Sequence, residues 1–272
     1  MIRAAVIGWP VSQSRSPLIH GHWLKEFAID GDYGRAAIDP ERIDGFLARF
    51  ADSGLAGGNV TIPYKEVAAR AAAHREPIVE RIGAANTLWI EDGALCADNT
   101  DGIGFLANLD QQAPGWDKAS GEALVLGAGG AAAAVVDALV ERGFMVRVVN
   151  RTLSRAESLA GRYPGRASAD VLSAANRYAA TADFIVNTTS LGMKGDGAVD
   201  LDMTVVPGGA VVGDIVYVPL VTPFLNAAAA RGLRTVDGLG MLLHQAVPGF
   251  ARWFGRRPVV TPELRALIEA DL

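Results

Sequence analysis

Gly127-Ala128-Gly129-Gly130-Ala131-Ala132 stands between an apolar run at residues 123–126 and an alanine-rich stretch over residues 131–142. The spacing fits G-x-G-x-x-A at the end of a strand and the start of a helix. Glycines there permit a tight turn and a close backbone approach, and the helix start presents free amides and a positive dipole end to a pyrophosphate. A glycine string alone would signal only a strand-to-helix turn. The context of strand, loop, helix and a second strand at residues 145–150 makes it a dinucleotide loop. Further strands at residues 184–187 and 210–216 continue the alternation, which predicts a parallel sheet wrapped by helices.

The second strand ends at Asn150, where an NAD-binding fold commonly places a carboxylate on the ribose 2′-hydroxyl. None stands here. Arg151, Thr152 and Arg155 follow instead, two guanidinium forks and a hydroxyl suited to a 2′-phosphate, so NADP is the expected cofactor. The competing reading is a solvated helix start.

Towards the N-terminus the pattern differs. Residues 3–8 read as a strand, and Ser16-Pro17 opens a helix to residue 27, with proline in the first turn where it is tolerated. A strand at 33–38 precedes a helix at 40–50, whose Ile43, Phe46, Leu47 and Phe50 recur at helical spacing. A strand at 58–62 and a helix at 64–73 lead to a hairpin over 87–99, turning at Asp92-Gly93. Residues 111–121, with Pro114, Gly115 and Ser120, break both periodicities and read as a linker. Helices at 240–254 and 262–272 have no strand left to accompany and are expected to return to the first domain. The expected fold is therefore α/β in two domains: a mixed α/β substrate domain (residues 1–110 and 239–272) and a Rossmann-type parallel-sheet NADP domain (residues 111–238).

Bulk properties narrow the function. With 272 residues, half of them hydrophobic, the chain fills a substantial core, and a net charge of -5 argues against nucleic acid as a partner. A small-molecule substrate is expected. The single cysteine, Cys96, forms no internal disulfide and reads as a buried strand thiol, consistent with a reducing cytoplasm. No apolar stretch approaches the roughly 20 residues that span a bilayer, so neither membrane insertion nor export is expected. His20, His22, His74 and His244 lack metal-ligand spacing, and no metal is expected. The five tryptophans are scattered and read as packing residues.

Ser14-Arg15-Ser16-Pro17 puts two hydroxyls at the mouth of a helix whose first amides need partners, an arrangement suited to a carboxylate; ordinary capping is the alternative. Lys65, in Asn59-Val60-Thr61-Ile62-Pro63-Tyr64-Lys65, and Asp101, in Asn99-Thr100-Asp101-Gly102, each have a bland reading, as a solvated amine and a helix cap. Paired across a cleft they would hold a hydroxyl between an ammonium and a carboxylate while a proton moves.

These stretches, with Leu18-Ile19-His20, Gly83-Ala84-Ala85-Asn86-Thr87 and Asp237-Gly238-Leu239-Gly240-Met241-Leu242-Leu243-His244-Gln245, resemble shikimate dehydrogenases over essentially the full length. The resemblance implies reversible reduction of 3-dehydroshikimate to shikimate by NADPH, within aromatic amino-acid biosynthesis. It implies that Ser14 and Ser16 hold the substrate carboxylate, while Thr61, Asn86, Asp101, Tyr217 and Gln245 bind or shape the pocket for the ring hydroxyls. Lys65 would be the catalytic acid/base with Asp101 as its partner. Gly127, Ala128, Gly129, Gly130, Ala131, Asn150, Arg151, Thr152 and Arg155 would bind NADP, with Thr188, Ile215, Gly238 and Met241 near the nicotinamide end. Gln13 and Gly21 depart from the His and Asn that members often carry, which touches the surroundings of the carboxylate site but not Lys65 or Asp101. A broader quinate/shikimate dehydrogenase is the nearer alternative and a non-catalytic NADP-binding sensor the more distant one. Closure of the two domains over the substrate is expected. Monomer and homodimer both stay open.

Overall fold

The computed structural model describes residues 1–118, 121–193, 197 and 199–272, and in it the backbone divides into two compact units. One comprises Met1–Asp101 with Leu243–Asp271; the other comprises Gly102–Leu242 with Leu272.

The first unit is built on a six-stranded mixed sheet in the order β2-β1-β3-β5-β6-β4. Its strands are β1 (Ile2–Gly8), β2 (Gly31–Ala37), β3 (Gly57–Val60), β4 (His74–Arg75), β5 (Thr87–Glu91) and β6 (Ala94–Asp98). Strands β1, β2 and β3 run parallel, and β5 is antiparallel to both β3 and β6. The β5–β6 hairpin turns at Asp92 and Gly93, both at positive φ (51° and 78°), the geometry that a two-residue hairpin loop of type I′ demands. Helices α1 (Ser16–Glu26), α2 (Ile43–Ala48), α3 (Lys65–Ala71) and α4 (Pro77–Ile82) connect the strands. Helix α2 starts later than its apolar spacing suggests. Asp39 captures the chain in a turn before it, accepting from the Glu41 amide through its side chain (2.9 Å) and from the Arg42 amide through its carbonyl (2.9 Å). Ile7, Leu47, Phe50, Val60 and Leu88 form the core on one face of this sheet.

Two C-terminal helices, α10 (Leu239–Phe254) and α11 (Pro262–Glu269), complete that unit from Leu243 onward. Phe250 is wholly buried between Trp23, His20 and Phe254, and truncating such a ring costs about 3–5 kcal/mol. Trp253 donates its indole N–H to the Leu88 carbonyl (2.9 Å) over Gly57, where a Cβ would meet that nitrogen at 2.0 Å. Only glycine fits beneath the indole.

The second unit carries a wholly parallel sheet in the order β12-β11-β10-β7-β8-β9, made of β7 (Glu122–Leu126), β8 (Met145–Asn150), β9 (Ala167–Val171), β10 (Phe184–Asn187), β11 (Val211–Asp214) and β12 (Arg234–Val236). The chain builds outward from β7 to β9, then returns to lay β10, β11 and β12 on the other side. This is the doubly wound order in which a dinucleotide lies across the reversal, between β7 and β10. The strands are buried runs such as Phe184–Asn187, as a sheet covered on both faces requires. The unit's remaining helices are α5 (Asp101–Gln112, from Gly102 on), α6 (Gly130–Glu141), α7 (Leu153–Ala160), α8 (Ala175–Ala179) and α9 (Pro223–Ala230). Gly102 lets α5 approach the α6 backbone, a Cβ there lying 3.1 Å from the Ala134 carbonyl.

The break in periodicity after α5 is a packed turn rather than a free linker; Ser120 lies outside the described residues. Trp116 is buried, stacks on Phe144 (5.3 Å) and donates to Asp110 (2.9 Å), while Arg142 grips Asp110 and Asp117 (2.6 Å each). Among the described residues no helix is long and apolar enough to cross a membrane.

Candidate active site

In the first unit, the polar groups at the ends of β3 and β5 converge on one buried amide. Asn86 is 2% exposed, and its Nδ2 lies 2.8 Å from Asp101 Oδ1, 3.1 Å from Thr100 Oγ1 and 3.3 Å from Gln245 Oε1. Its Oδ1 accepts from the Thr100 amide (2.9 Å) and the Thr87 hydroxyl (2.8 Å), so every hydrogen-bonding atom of the side chain is occupied. The second oxygen of Asp101 accepts from Lys65 Nζ. The Lys65 side chain keeps about a fifth of its surface open while Asp101 is nearly covered, so the ammonium is the member of the pair that solvent or substrate reaches.

The backbone explains why residues distant in sequence meet there. Lys65 opens α3, and its carbonyl accepts from the Ala85 amide (2.8 Å), which ties the lysine to the segment carrying Asn86. The Asn86 carbonyl accepts from the Val60 amide (2.8 Å) and from Asn59 Nδ2 (3.2 Å). Asp101 begins α5, its amide bonded to Asn99 Oδ1 (3.0 Å), and Thr100 donates to the Gln245 carbonyl on α10 (2.8 Å).

Ser14 and Ser16 lie at the start of α1. Ser16 is buried, and its amide donates to Ser14 Oγ (3.3 Å). Two cations hold the loop from outside. Arg35 donates to the Ser14 carbonyl (2.8 Å), and Arg15 donates to the Gln13 carbonyl (2.7 Å) and pairs with Asp271 (2.9 Å) near the chain's end. Behind α1, His20 stacks face to face on Tyr33 (3.9 Å, 6°), whose hydroxyl donates to Asn59 Oδ1 (2.7 Å). Burial drives the His20 imidazole down to about 3, against a smaller upward pull from the Asn59 side chain. Thr61 is half-buried between β3 and α3. Tyr217 belongs to the second unit, in the segment following β11.

In the second unit the glycine loop connects β7 to α6. Gly127 takes φ +111°, closed to side chains, and a Cβ there would meet Thr188 Oγ1 at 2.8 Å. Gly129 caps α6 without a side-chain bond to the first-turn amides, and a Cβ at Gly129 or Gly130 would meet nothing within 4 Å. Open space above free helix amides is what a pyrophosphate needs, so the residues present fit the dinucleotide. At the end of β8, Asn150 donates to the Thr152 carbonyl (2.9 Å), folding the strand end into the cap of α7. Arg151, Thr152 and Arg155 are exposed, and among the described residues no carboxylate pairs with either arginine. Gly238 lies against the Ile215 carbonyl, 2.4 Å from a would-be Cβ, and Met241 is buried on the first turn of α10.

Residues 6–88 match the shikimate dehydrogenase substrate binding domain, residues 109–193 the shikimate/quinate 5-dehydrogenase family and residues 238–261 the shikimate 5′-dehydrogenase C-terminal domain. A shikimate dehydrogenase (NADP(+)) of Azorhizobium caulinodans is 57% identical over all of this chain and 97% of its own length. The chain belongs to the shikimate dehydrogenase family. A second relative of that description, from Mesorhizobium japonicum, is 55% identical over 99% of this chain and 96% of its own. Among solved structures, shikimate 5-dehydrogenase of Thermus thermophilus in complex with NADP(H) and shikimate superposes with a TM-score of 0.85 at 36% identity, covering 100% of this chain and 99% of that one. Quinate dehydrogenase of Corynebacterium glutamicum in complex with NAD gives 0.90 at 28% identity, covering 99% of each. The fold is thus shared across a change of substrate and cofactor, and the choice between them rests on side chains.

For this family member the sequence did not single out Tyr33, Thr87 and Asn187, or the buried Asp214 and Thr222. The one signal for Asp214 was a carboxylate ending the apolar run Val211–Asp214, shortly before a Thr-Pro helix start.

Proposed function

We propose that this chain catalyses the reversible NADPH-dependent reduction of 3-dehydroshikimate to shikimate in aromatic amino-acid biosynthesis, in the cytoplasm. Residues 1–110 and 239–272 serve as the substrate domain and residues 111–238 as the NADP domain. The observation that carries the reading is the buried network centred on Asn86, which fixes Asp101 and through it Lys65.

NADPH, when bound, supplies the hydride to the carbonyl carbon of the substrate. Lys65 holds the proton at Nζ beside the carbonyl oxygen, and in the reverse direction takes it back from the hydroxyl. Asp101 aims the ammonium by accepting from it, and Asn86 prevents the carboxylate from turning away. Ser14 and Ser16 hold the substrate carboxylate, while Thr61, Asn86, Asp101, Tyr217 and Gln245 contact or flank the ring hydroxyls. The glycine loop with Ala128 and Ala131 holds the pyrophosphate, and Asn150, Arg151, Thr152 and Arg155 the adenosine end with its 2′-phosphate. Thr188, Ile215, Gly238 and Met241 flank the nicotinamide.

The test is Lys65→Ala. A proton carrier that acts mainly in the transition state shows a loss of kcat by a factor of about 10²–10⁴ with little change in KM. Turnover within a few-fold of wild type would remove Lys65 from this role.

A further inference from the structure

Asp214 ends β11 and is 3% exposed, and among the described residues no cation pairs with it. A buried carboxylate without a counterion is costly and persists only where donors surround it. Here the donors come from three separate segments. Oδ1 accepts from Asn187 Nδ2 at the end of β10 (3.0 Å) and from the Val216 amide (2.9 Å), and Oδ2 accepts from the Thr222 hydroxyl at the cap of α9 (2.8 Å). Asn187, wholly buried, passes the restraint on. Its Oδ1 accepts from the Thr189 amide (3.0 Å) and hydroxyl (2.7 Å), and its Nδ2 reaches the Leu191 carbonyl (3.2 Å). The Thr222 oxygen also accepts from the Leu225 amide (3.2 Å). One carboxylate therefore ties the segments that follow β10 and β11 to each other and to a helix start.

Those segments lie where one end of the cofactor must go. The sheet order places β8, with Asn150, Arg151 and Thr152, on one side of β7, and β10 and β11 on the other. A dinucleotide with its pyrophosphate at the start of α6 and its 2′-phosphate end at β8 extends its nicotinamide over the carboxyl ends of β10 and β11. Thr188 already touches the glycine loop at Gly127, and the Ile215 carbonyl rests on Gly238. We propose that Asp214 is a positioning residue which, through Asn187 and Thr222, fixes the strand-end loops that receive the nicotinamide half of the cofactor. This rests on the NADP reading above.

The experiment compares two probes on the full chain by titration calorimetry: NADPH, and adenosine 2′,5′-bisphosphate, which carries the adenosine end alone. Asp214→Asn keeps the shape but replaces one acceptor with a donor facing Thr222. It is expected to weaken NADPH about ten-fold, the scale of one charge-assisted hydrogen bond, and to leave the bisphosphate unchanged. Thr222→Val should reproduce the selective loss while Thr222→Ser should behave as wild type, a pair that stands even where Asp214→Asn does not fold. Parallel weakening of both probes, or no change in either, would overturn the proposal. Wild-type chain that binds neither probe would instead overturn the NADP reading itself.

Discussion

His20→Phe should remove much of the first unit's sensitivity to mild acid. The imidazole is wholly buried, and burial holds its folded pKa at about 3 against 6.5 in the unfolded chain. Above 6.5 both states are neutral and the residue contributes no pH dependence. As pH falls below that value the unfolded chain binds a proton that the folded chain refuses, so stability drops until pH approaches 3. Each pH unit in that window costs about 1.4 kcal/mol, and from 6.5 to about pH 5 the sum is about 2 kcal/mol. Phenylalanine keeps a ring to stack on Tyr33 and removes a buried polar edge whose one contact, with Asn59, is weak, so the variant should stay close to wild type at neutral pH. His244, also lowered by burial, titrates in both proteins and cancels in the difference. The assay is urea unfolding at several pH values followed by tryptophan fluorescence, since Trp9, Trp23, Trp89 and Trp253 belong to the first unit and only Trp116 to the second. The stability difference between variant and wild type should widen by about 2 kcal/mol on going to about pH 5. Curves that stay parallel refute the account of His20 as a buried neutral group.

The loop of Ser14 and Ser16 is held by the Arg15–Asp271 pair, so Asp271→Ala should raise the KM for shikimate by no more than about five-fold, with kcat unchanged, as expected of a partly exposed ion pair. A fall in kcat would point elsewhere. Gly57→Ala drives a methyl into the Trp253 indole and the Leu88 carbonyl, and should cost at least about 1–3 kcal/mol of stability, read as a lower urea midpoint. Arg155→Ala should raise the KM for NADP about ten-fold while leaving that for NAD unchanged, because the lost partner is the 2′-phosphate. Equal effects on both cofactors would count against that contact.

Much of the fold was legible because local chemistry and tertiary structure agree. Asp92-Gly93 supplies the positive φ that the hairpin turn needs, and Gly127 sits where any Cβ would strike Thr188. Strand β9 is weakly marked because Ala167–Val171, although it alternates, offers only small alanines and one valine as apolar residues, none of them fully buried. The two-residue β4 pairs with β6, a long-range contact that residue pattern does not encode. At the site, Lys65, Asn86 and Asp101 were legible as motifs, but their shared hydrogen bonds depend on where α3, β5 and α5 begin. Asp214 is illegible for a related reason: its donors come from Asn187, Val216 and Thr222, and none of those marks itself as a partner in sequence.

The central claim is tested most directly by following absorbance at the NADPH band with purified chain, shikimate and NADP, repeated with quinate in place of shikimate and with NAD in place of NADP. The account predicts rapid growth of the band with shikimate and NADP and far slower growth with either substitute. Comparable rates with quinate or NAD would make this the broader enzyme, and no growth with any pairing would contradict catalysis altogether.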